Sequence, residues 1–354
     1  MISLERRSGG PSALMGLLSP VIAIGLTVLS GAVIFAILGM DVANALSIYF
    51  LSPFLDGYSR SELVVKAVPL ALIGAGLAVS FRANVWNIGA AGQYTLGAIA
   101  GGWVALSFPD ATSAFWLIPF LVAGIFGGMA WAAIPALLRT RFNSNEILVS
   151  LMLTYVAALL LDWLVRGPWR DPLGFGFPQS RDFAEAFLMP LLTPPDRLHA
   201  GVFVALVAAM ALTVMMGRTI KGFEIAVIGA APRAGVFGGF NQSRVTWFVL
   251  LLSGGLAGLA GAIEVSATVR QLQPDIAAGY GFTAIIVAFL GRLNPAGALL
   301  GALILAVSYI GGENAQILLK LPKNVAYVFQ GLLLFFLLSC DTLIRYRLRL
   351  ARAT

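Results

Sequence analysis

The sequence predicts an all-α polytopic membrane bundle of about 8–10 spans, with broken or re-entrant helices. Of its 354 residues, 59% are hydrophobic and only 11% are charged, and the mean hydropathy is +0.90. Soluble domains are about 25% charged, and a bilayer core of ~30 Å is crossed by about 20 apolar residues. The length leaves no room for a large soluble domain, so we expect residues 1–354 to form a single transmembrane domain.

The apolar runs give the elements in chain order. They predict spans near 17–40, 62–81, 86–108, 115–138, 147–166, 200–216, 245–267 and 325–343. Residues 281–312 are ambiguous, because the apolar pattern is interrupted by GRLNP. Two helices there give about 10 spans, whereas a re-entrant pair gives about 8.

Basic residues predict the orientation of these spans. Lys and Arg are found in both chain ends, including Arg7 and Arg352, and in the segments 139–146 and 217–244. The positive-inside rule places all four regions on the cytoplasmic side. The proline-rich segment 167–199 then becomes an ordered external loop, and 217–244 becomes a cytoplasmic loop.

Several chemical functions find no support in the sequence. The single cysteine, Cys340, rules out an intramolecular disulfide, and the single histidine, His199, argues against a His/Cys zinc site. The chain has no P-loop, no G-x-S-x-G and no H-E-x-x-H motif. We therefore expect a protein that binds no cofactor and is not an enzyme.

A polar interruption, FRANVWNIGAAGQYTLGAIAGG at 81–102, lies between two apolar runs. It contains Asn84, Asn87 and Gln93, together with Gly89 and Gly92. A broken helix at membrane depth is tolerated only against protein or a water-filled cavity. Amides donate and accept hydrogen bonds, so the segment predicts a path for an uncharged polar solute such as a sugar or nucleoside. The alternative is that these small and amide residues hold helices together.

Further candidates for the solute path lie in the second half of the chain. Asn294 precedes a small-residue helix in 291–304, much as Asn87 does in 87–99, and paired interrupted segments indicate a central site. Glu264 lies in an apolar span, where a carboxylate is a functional candidate unless it lies near the outer interface. Trp86 and Tyr280 could stack against a base or sugar face.

Residues 144–160 begin with a helix-start signal. Ser144 is a candidate N-cap, with Glu146 in the first turn near the positive end of the helix dipole. Capping accounts for this pattern. A gate at the cytoplasmic edge of the membrane is the alternative.

The loop 217–244 combines apolar and charged residues. We expect a compact, exposed element that docks a partner protein through Lys221, Phe223, Glu224, Arg233 and Phe237. The alternative is a helix lying flat on the membrane surface.

Four segments in order carry a family resemblance: FRANVWNIGAAGQ, SNEILVSLMLTYVA, GLAGLAGAIEV and GYGFTAIIVAFLGRLNPAG. They resemble the permease subunits of bacterial ABC importers for nucleosides and simple sugars, which are related to the branched-chain amino-acid importers. The chain departs from the family pattern at Ala91, Ile225 and 230–232. The resemblance implies a multi-pass protein of the bacterial inner membrane with both termini in the cytoplasm. It also implies two cytoplasmic ATPase subunits, a second permease subunit in a homo- or heterodimer, and an external solute-binding lipoprotein or periplasmic protein.

The expected function is therefore that of a membrane-spanning permease that moves a nucleoside or related polar solute. ATP would be used by the partner subunits. The alternatives are a simple-sugar permease of the same kind and an ion-coupled secondary transporter that acts alone. The second alternative has only Glu264 as a good ion-site candidate.

Overall fold

The structure is a computed structural model that describes residues 2–6, 13–274, 276–277, 279–322 and 324–350. Side chains are described for 18–274, 276–277, 279–322, 324–325 and 327–340. Arg7 and Arg352, which contributed to the predicted orientation, lie outside the described residues. The chain forms two compact units, a terminal unit of 1–60 with 307–354 and a central unit of 61–306.

The architecture is helical, as predicted. The α-helices are α1 Ala13–Ile37, α2 Val42–Leu46, α3 Ser52–Leu55, α4 Gly57–Arg82, α5 Ala90–Ser107, α6 Leu117–Phe142, α7 Glu146–Arg166, α8 Gly201–Arg218, α9 Ile220–Ala230, α10 Pro232–Phe237, α11 Gln242–Glu264, α12 Tyr280–Leu290, α13 Pro295–Leu318 and α14 Asn324–Arg345. Short 3₁₀ turns cover Ala114–Trp116 and Glu185–Phe187, and π-helical turns cover Ser47–Leu51 and Val265–Val269. Two strands, β1 Ile2–Arg6 and β2 Tyr346–Leu350, complete the described structure.

Seven helices within the described ranges are long and apolar enough to cross a membrane. They begin at Leu18, Gly57, Ala114, Glu146, Gly201, Gln242 and Pro295. The prediction of an all-α polytopic membrane bundle is confirmed. The ambiguous region 281–312 forms two helices: α12 has 11 residues, too few to span a bilayer, and α13 has 24.

Burial divides the membrane helices of the central unit into inner and outer ones. Among the 18 most apolar consecutive residues of each helix, 89% are buried in α4 and 78% in α11. Only 22% are buried in α6, α7 and α8. An apolar helix face that the protein does not cover requires lipid or another membrane chain. The outer helices therefore form the hydrophobic perimeter of this unit.

Glycines bring three helices of the central unit into backbone contact. A Cβ added to Gly97 on α5 would clash with the backbone of Gly258 on α11, and one added to Gly128 on α6 would clash with the Gly254 carbonyl. Small residues allow membrane helices to approach closely and to gain packing energy without a hydrophobic driving force. These contacts show that α5, α6 and α11 pack closely against one another.

We expect Gly128→Ala to destabilise the protein by about 1–3 kcal/mol, because the added methyl group forces α6 and α11 apart. Gly217 on α8 is the matched control, since nothing lies within 4 Å of a Cβ added there. Gly217→Ala should be neutral or stabilising by up to about 1 kcal/mol. Thermal unfolding in detergent measures both, and equal midpoints for the two variants would contradict this packing.

The terminal unit is built around an aromatic core. The Tyr49 ring stacks on Phe329 with centroids 4.3 Å apart, and its hydroxyl lies 2.8 Å from Ser308 Oγ. In the same unit, Asn314 Nδ2 donates to Ser52 Oγ at 2.7 Å. Helix α1 contacts α14, and β1 and β2 pair antiparallel, with Ile2 opposite Leu350. This ribbon was not predicted, because the sequence indicated only that both chain ends are basic.

Candidate functional site

The polar interruption at 81–102 is a true break between two helices. Helix α4 ends at Arg82 and α5 begins at Ala90. Asn84 has a φ of 56°, a left-handed conformation that asparagine tolerates better than most residues. Ser80 Oγ donates to the Val85 carbonyl at 2.8 Å. The freed backbone is therefore satisfied by protein groups, as a break at membrane depth requires.

Asn87 and Gln93 form a buried amide pair, with exposures of 0% and 1%. Asn87 Nδ2 donates to Gln93 Oε1 at 2.8 Å, and Gln93 Nε2 donates to Asn87 Oδ1 at 2.9 Å. Asn87 Nδ2 also donates to Ser253 Oγ on α11 at 3.0 Å. In this conformation the two amides satisfy each other and tie the break to α11. Their role in a solute path stays a prediction.

The glycines of the same segment are explained by helix packing. A Cβ on Gly89 would lie 2.7 Å from the Ser150 carbonyl oxygen, and one on Gly92 would lie 2.9 Å from Thr154 Cα. Both neighbours belong to α7. For these two positions, the helix-contact interpretation accounts for the residue type.

Trp86 and Asn84 lie together at the edge of the break. Trp86 Nε1 donates to Asn84 Oδ1 at 3.2 Å, and Asn84 is exposed. The half-buried Trp86 ring packs against Phe81, with centroids 4.9 Å apart, and against Phe289 at 6.1 Å. The face of Trp86 that could stack on a solute is thus partly covered by two phenyl rings.

Asn294 begins the second interrupted segment. It is exposed, and its Oδ1 accepts a hydrogen bond from Ala296 N at 3.1 Å. Asn294 therefore caps the first turn of α13, which the residue type explains without a solute.

Glu264 and Tyr280 lie in a cluster of charged residues. Glu264 is buried at the end of α11 and interacts electrostatically with Lys66, Arg197 and Glu62. Lys66 Nζ also lies 6.0 Å from the centre of the Tyr280 ring. We call Glu62, Lys66, Arg197 and Glu264 the charge cluster.

The charge cluster joins a loop to a buried helix. Arg197, in the predicted external loop, binds Glu62 on α4 through two hydrogen bonds of 2.8 and 2.6 Å. Glu62 is only 3% exposed. Sequence reasoning singled out Glu264 but missed its three companions. The available signal was the spacing of Glu62 and Lys66, which places two ionisable groups four residues apart on one face of an apolar helix.

A third group of buried polar residues, after the amide pair and the charge cluster, lies at the end of the central unit opposite the charge cluster. Glu146 is buried, forms an ion pair with Arg139 on α6, and accepts a hydrogen bond from Trp86 N at 3.5 Å. The N-cap of α7 is Asn145, whose Oδ1 accepts from Ile147 N at 2.9 Å. The cap is therefore one residue later than the sequence pattern indicated.

These levels are arranged along the length of the central unit. On α11, Ser253 at the amide pair and Glu264 in the charge cluster are 11 positions apart, or about 16 Å along the helix axis. Between them, the Tyr94 ring of α5 lies 6.0 Å from the Tyr280 ring. Buried polar groups thus occur near both ends and in the middle of an otherwise apolar bundle.

The loop 217–244 folds into a compact element of α9 and α10, which we call the α9–α10 knob (residues 220–237). Ile225 and Ile228 are buried on its inner face. A Cβ on Gly229 would clash with the Arg82 carbonyl at the end of α4. The knob therefore packs directly against the C-terminal end of α4, the helix that precedes the amide pair.

The outer face of the knob is apolar and exposed. Phe223 is 61% exposed and Phe237 is 92% exposed, and Arg233 is also exposed. Lys221 Nζ donates to Glu224 Oε2 at 2.8 Å and lies 5.0 Å from the centre of the Phe248 ring. Of the five predicted docking residues, Phe223, Arg233 and Phe237 are available to a partner, whereas Lys221 and Glu224 hold each other.

The loop 167–199 is ordered against the end of α11. Ser266 Oγ donates to the Phe187 carbonyl at 2.6 Å, and Ser180 N donates to the Leu272 carbonyl at 2.8 Å. His199 is buried, and its Nδ1 accepts from Gly201 N at 3.2 Å. Burial lowers the pKa of His199 to about 4, so the imidazole is neutral at pH 7 and serves as a structural acceptor. Among the described residues, no group of three His, Cys, Asp or Glu could hold a metal ion.

Comparisons with known proteins agree with this architecture. The family model "Branched-chain amino acid transport system / permease component" matches residues 59–338. The chain is 35% identical to the glucose ABC transporter permease protein TsgB13 of Haloferax volcanii, over 94% of this chain and 90% of that protein. It is 31% identical to the guanosine ABC transporter permease protein NupP of Bacillus subtilis, with coverages of 91% and 93%. It is 26% identical to the nucleoside ABC transporter permease protein NupB of Lactococcus lactis, with 90% of each chain covered.

The match covers both the amide pair and the knob, and it confirms the resemblance carried by the four sequence segments. Together with the helical bundle, it identifies the chain as a transport component. The chain belongs to the family of permease components of branched-chain amino acid transport systems, and it is a membrane-spanning permease subunit of an ABC importer.

Proposed function

We propose that this permease moves a nucleoside, or a closely related uncharged polar solute, through the central unit. The observation that carries the proposal is the set of buried polar groups at three levels of an apolar bundle. Intramembrane polar groups are unfavourable in lipid and mark solute pathways when they face a bundle interior. In the conformation described above, where the two amides bond to each other, the amide pair would be the narrowest part of that path.

The amides fit an uncharged solute. Asn87 and Gln93 each have one donor and one acceptor group engaged with the other amide, and those groups can be exchanged for the hydroxyls and ring heteroatoms of a nucleoside. Asn84, Trp86, Glu264, Tyr280 and Asn294 remain proposed contacts along the same route. A permease must release its solute. Two amides that can bond to each other once the solute has left are therefore suited to transient binding.

A simple sugar is the second candidate solute. It is favoured by the 35% identity to a protein named as a glucose permease. The nucleoside is favoured by two relatives named for guanosine and nucleosides. Both solutes share hydroxyl groups and an apolar face that aromatic rings such as Tyr94 and Tyr280 can contact.

The exposed face of the α9–α10 knob is the proposed docking site for a cytoplasmic ATPase subunit. ATP would bind to that partner, and this chain would bind no cofactor and catalyse no reaction. A second permease subunit would cover part of the outer helices, and an external solute-binding protein would deliver the solute. In this arrangement the knob and both termini are cytoplasmic, the loop 167–199 is external, and the membrane is the bacterial inner membrane.

Uptake by the reconstituted complex tests the proposal. Proteoliposomes that contain the chain, its ATPase, its second permease and its solute-binding protein are supplied with labelled guanosine, uridine or glucose, with ATP inside. We expect ATP-dependent uptake of nucleosides, with little competition from excess glucose. Uptake of glucose that nucleosides do not inhibit would select the sugar instead.

The same vesicles distinguish the proposed ATP-driven permease from an ion-coupled carrier that acts alone. If the chain alone accumulated solute when a proton or sodium gradient was imposed, without ATP or partner subunits, the proposed mechanism would be wrong. We expect no accumulation from the chain alone.

A further inference from the structure

A basic pocket lies at the end of the central unit that is opposite the knob. Its volume is about 400 Å³, and its lining includes Trp103 and Ser107 of α5 together with Trp169, Arg170 and Arg181 of the loop 167–199. It is separate from the amide pair and the charge cluster, and the proposed transport function does not use it.

Backbone hydrogen bonds hold the two stretches of the loop that carry these arginines. Trp169 N donates to the Leu164 carbonyl at 2.9 Å, and Asp171 N donates to the Gln179 carbonyl at 2.8 Å. These bonds fold the loop back so that the stretch before Arg181 lies beside Arg170. Ser180 is itself held by Leu272, whose N donates to Ser180 Oγ at 2.9 Å.

Both arginines of the pocket are exposed, and Asp171 and Asp182 adjoin them in the sequence. Among the described residues, the ion pairs within 4.0 Å include neither Arg170 nor Arg181. The neighbouring carboxylate of Asp171 accepts a hydrogen bond from Leu173 N instead. By contrast, Arg166 and Arg197, at the same end of the unit, are paired with Asp162 and Glu62.

The position of the pocket indicates a membrane-interface ligand. It opens where α5 ends at Ser107 and α7 ends at Arg166. Large aromatic side chains at the same end are exposed, among them Trp103 at 60%, Phe115 at 79% and Trp163 at 61%. Exposed aromatic residues at the ends of membrane helices mark the level of the lipid headgroups.

We propose that this pocket binds the headgroup of an anionic phospholipid, with Arg170 and Arg181 donating to its phosphate oxygens. Paired guanidinium groups match the geometry of a phosphate. Leu106, Pro168 and Pro172, which also line the pocket, provide an apolar wall for the glycerol and upper acyl carbons. The side chains of Trp103 and Trp169 also line the site.

Native mass spectrometry of the full chain with added lipid tests the site. We expect phosphatidylglycerol to bind at least about tenfold more tightly to the wild type than to the double variant Arg170→Gln/Arg181→Gln, because charge-assisted hydrogen bonds are lost. Arg141→Gln/Arg244→Gln is the matched control, since it removes two exposed arginines from the opposite end of the unit. The control should bind as the wild type does.

Other outcomes overturn the proposal. Equal binding by wild type and R170Q/R181Q, or equal binding of phosphatidylcholine, would show that no anionic-lipid site exists there. If inorganic phosphate or glycerol phosphate bound the wild type as tightly as phosphatidylglycerol does, and bound R170Q/R181Q more weakly, the pocket would be a site for a free anion. If the double variant kept its lipid but lost binding to the solute-binding protein, the pocket would be a protein-docking surface.

Discussion

Replacing both members of the amide pair should strongly reduce transport while leaving the protein folded. In Asn87→Leu alone, Gln93 loses the partner of both its side-chain hydrogen bonds at 1% exposure. We expect that single variant to lose about 1–3 kcal/mol of stability, because a buried polar group is left unsatisfied. In Asn87→Leu/Gln93→Leu, neither amide is left without the other, so part of that loss should be recovered, while Ser253 Oγ and Gly89 N still lack their Asn87 partner.

Transport activity and thermal stability should not change in parallel in the single and double variants. If the amides contact the solute, the single and the double variant should both reduce ATP-driven uptake by about tenfold or more, which corresponds to the loss of one or two hydrogen bonds in the path. Thermal unfolding and proteoliposome uptake are measured on the same preparations. A double variant that is stable and transports at the wild-type rate would restrict the pair to a structural role.

The second large effect concerns the α9–α10 knob. We expect Phe223→Asp/Phe237→Asp to reduce ATPase binding by about thirtyfold or more, because a single aromatic hot spot that an interface buries contributes about 2 kcal/mol or more. Copurification with the ATPase and ATP-driven uptake should fall together. Both side chains are largely exposed in the isolated chain, so the variant should fold normally.

Phe175 provides a matched control for the knob. It is 97% exposed in the loop 167–199 and has a φ of 50°, a conformation that aspartate tolerates. Phe175→Asp should retain the ATPase and full uptake. If the knob variant bound the ATPase as well as the Phe175→Asp control does, the docking assignment would be wrong.

The membrane helices could be predicted because composition and length decide them. Apolar runs of about 20 residues must form helices in lipid, where each backbone group needs an internal partner. The break after Arg82 was also predictable, because asparagines and glycines interrupt the apolar pattern there. The pairing of Asn87 with Gln93 and Ser253 was not, since Ser253 is 166 positions away from Asn87 and only tertiary packing brings them together.

The charge cluster shows the same limit of local patterns. Glu264 was recognised from its own apolar surroundings, but Arg197 reaches Glu62 across 135 positions. The docking residues were predicted as one group because all five lie within the short loop 217–244. Their division into exposed Phe223, Arg233 and Phe237 and the self-paired Lys221 and Glu224 depends on how α9 packs beneath α4.

Accessibility of Ser253 to water during turnover tests the central claim most directly. Ser253 is fully buried beside Asn87. Cys340 is the only cysteine of the chain, so Ser253→Cys in a Cys340→Ala background carries a single thiol. Ala209→Cys on α8, equally buried, is the control.

Labelling with a membrane-impermeant maleimide is followed in the reconstituted complex. We predict that Ser253→Cys reacts only when ATP and solute drive turnover, whereas Ala209→Cys stays unreactive. A thiol at 253 that remains protected while transport proceeds would contradict a solute path past the amide pair.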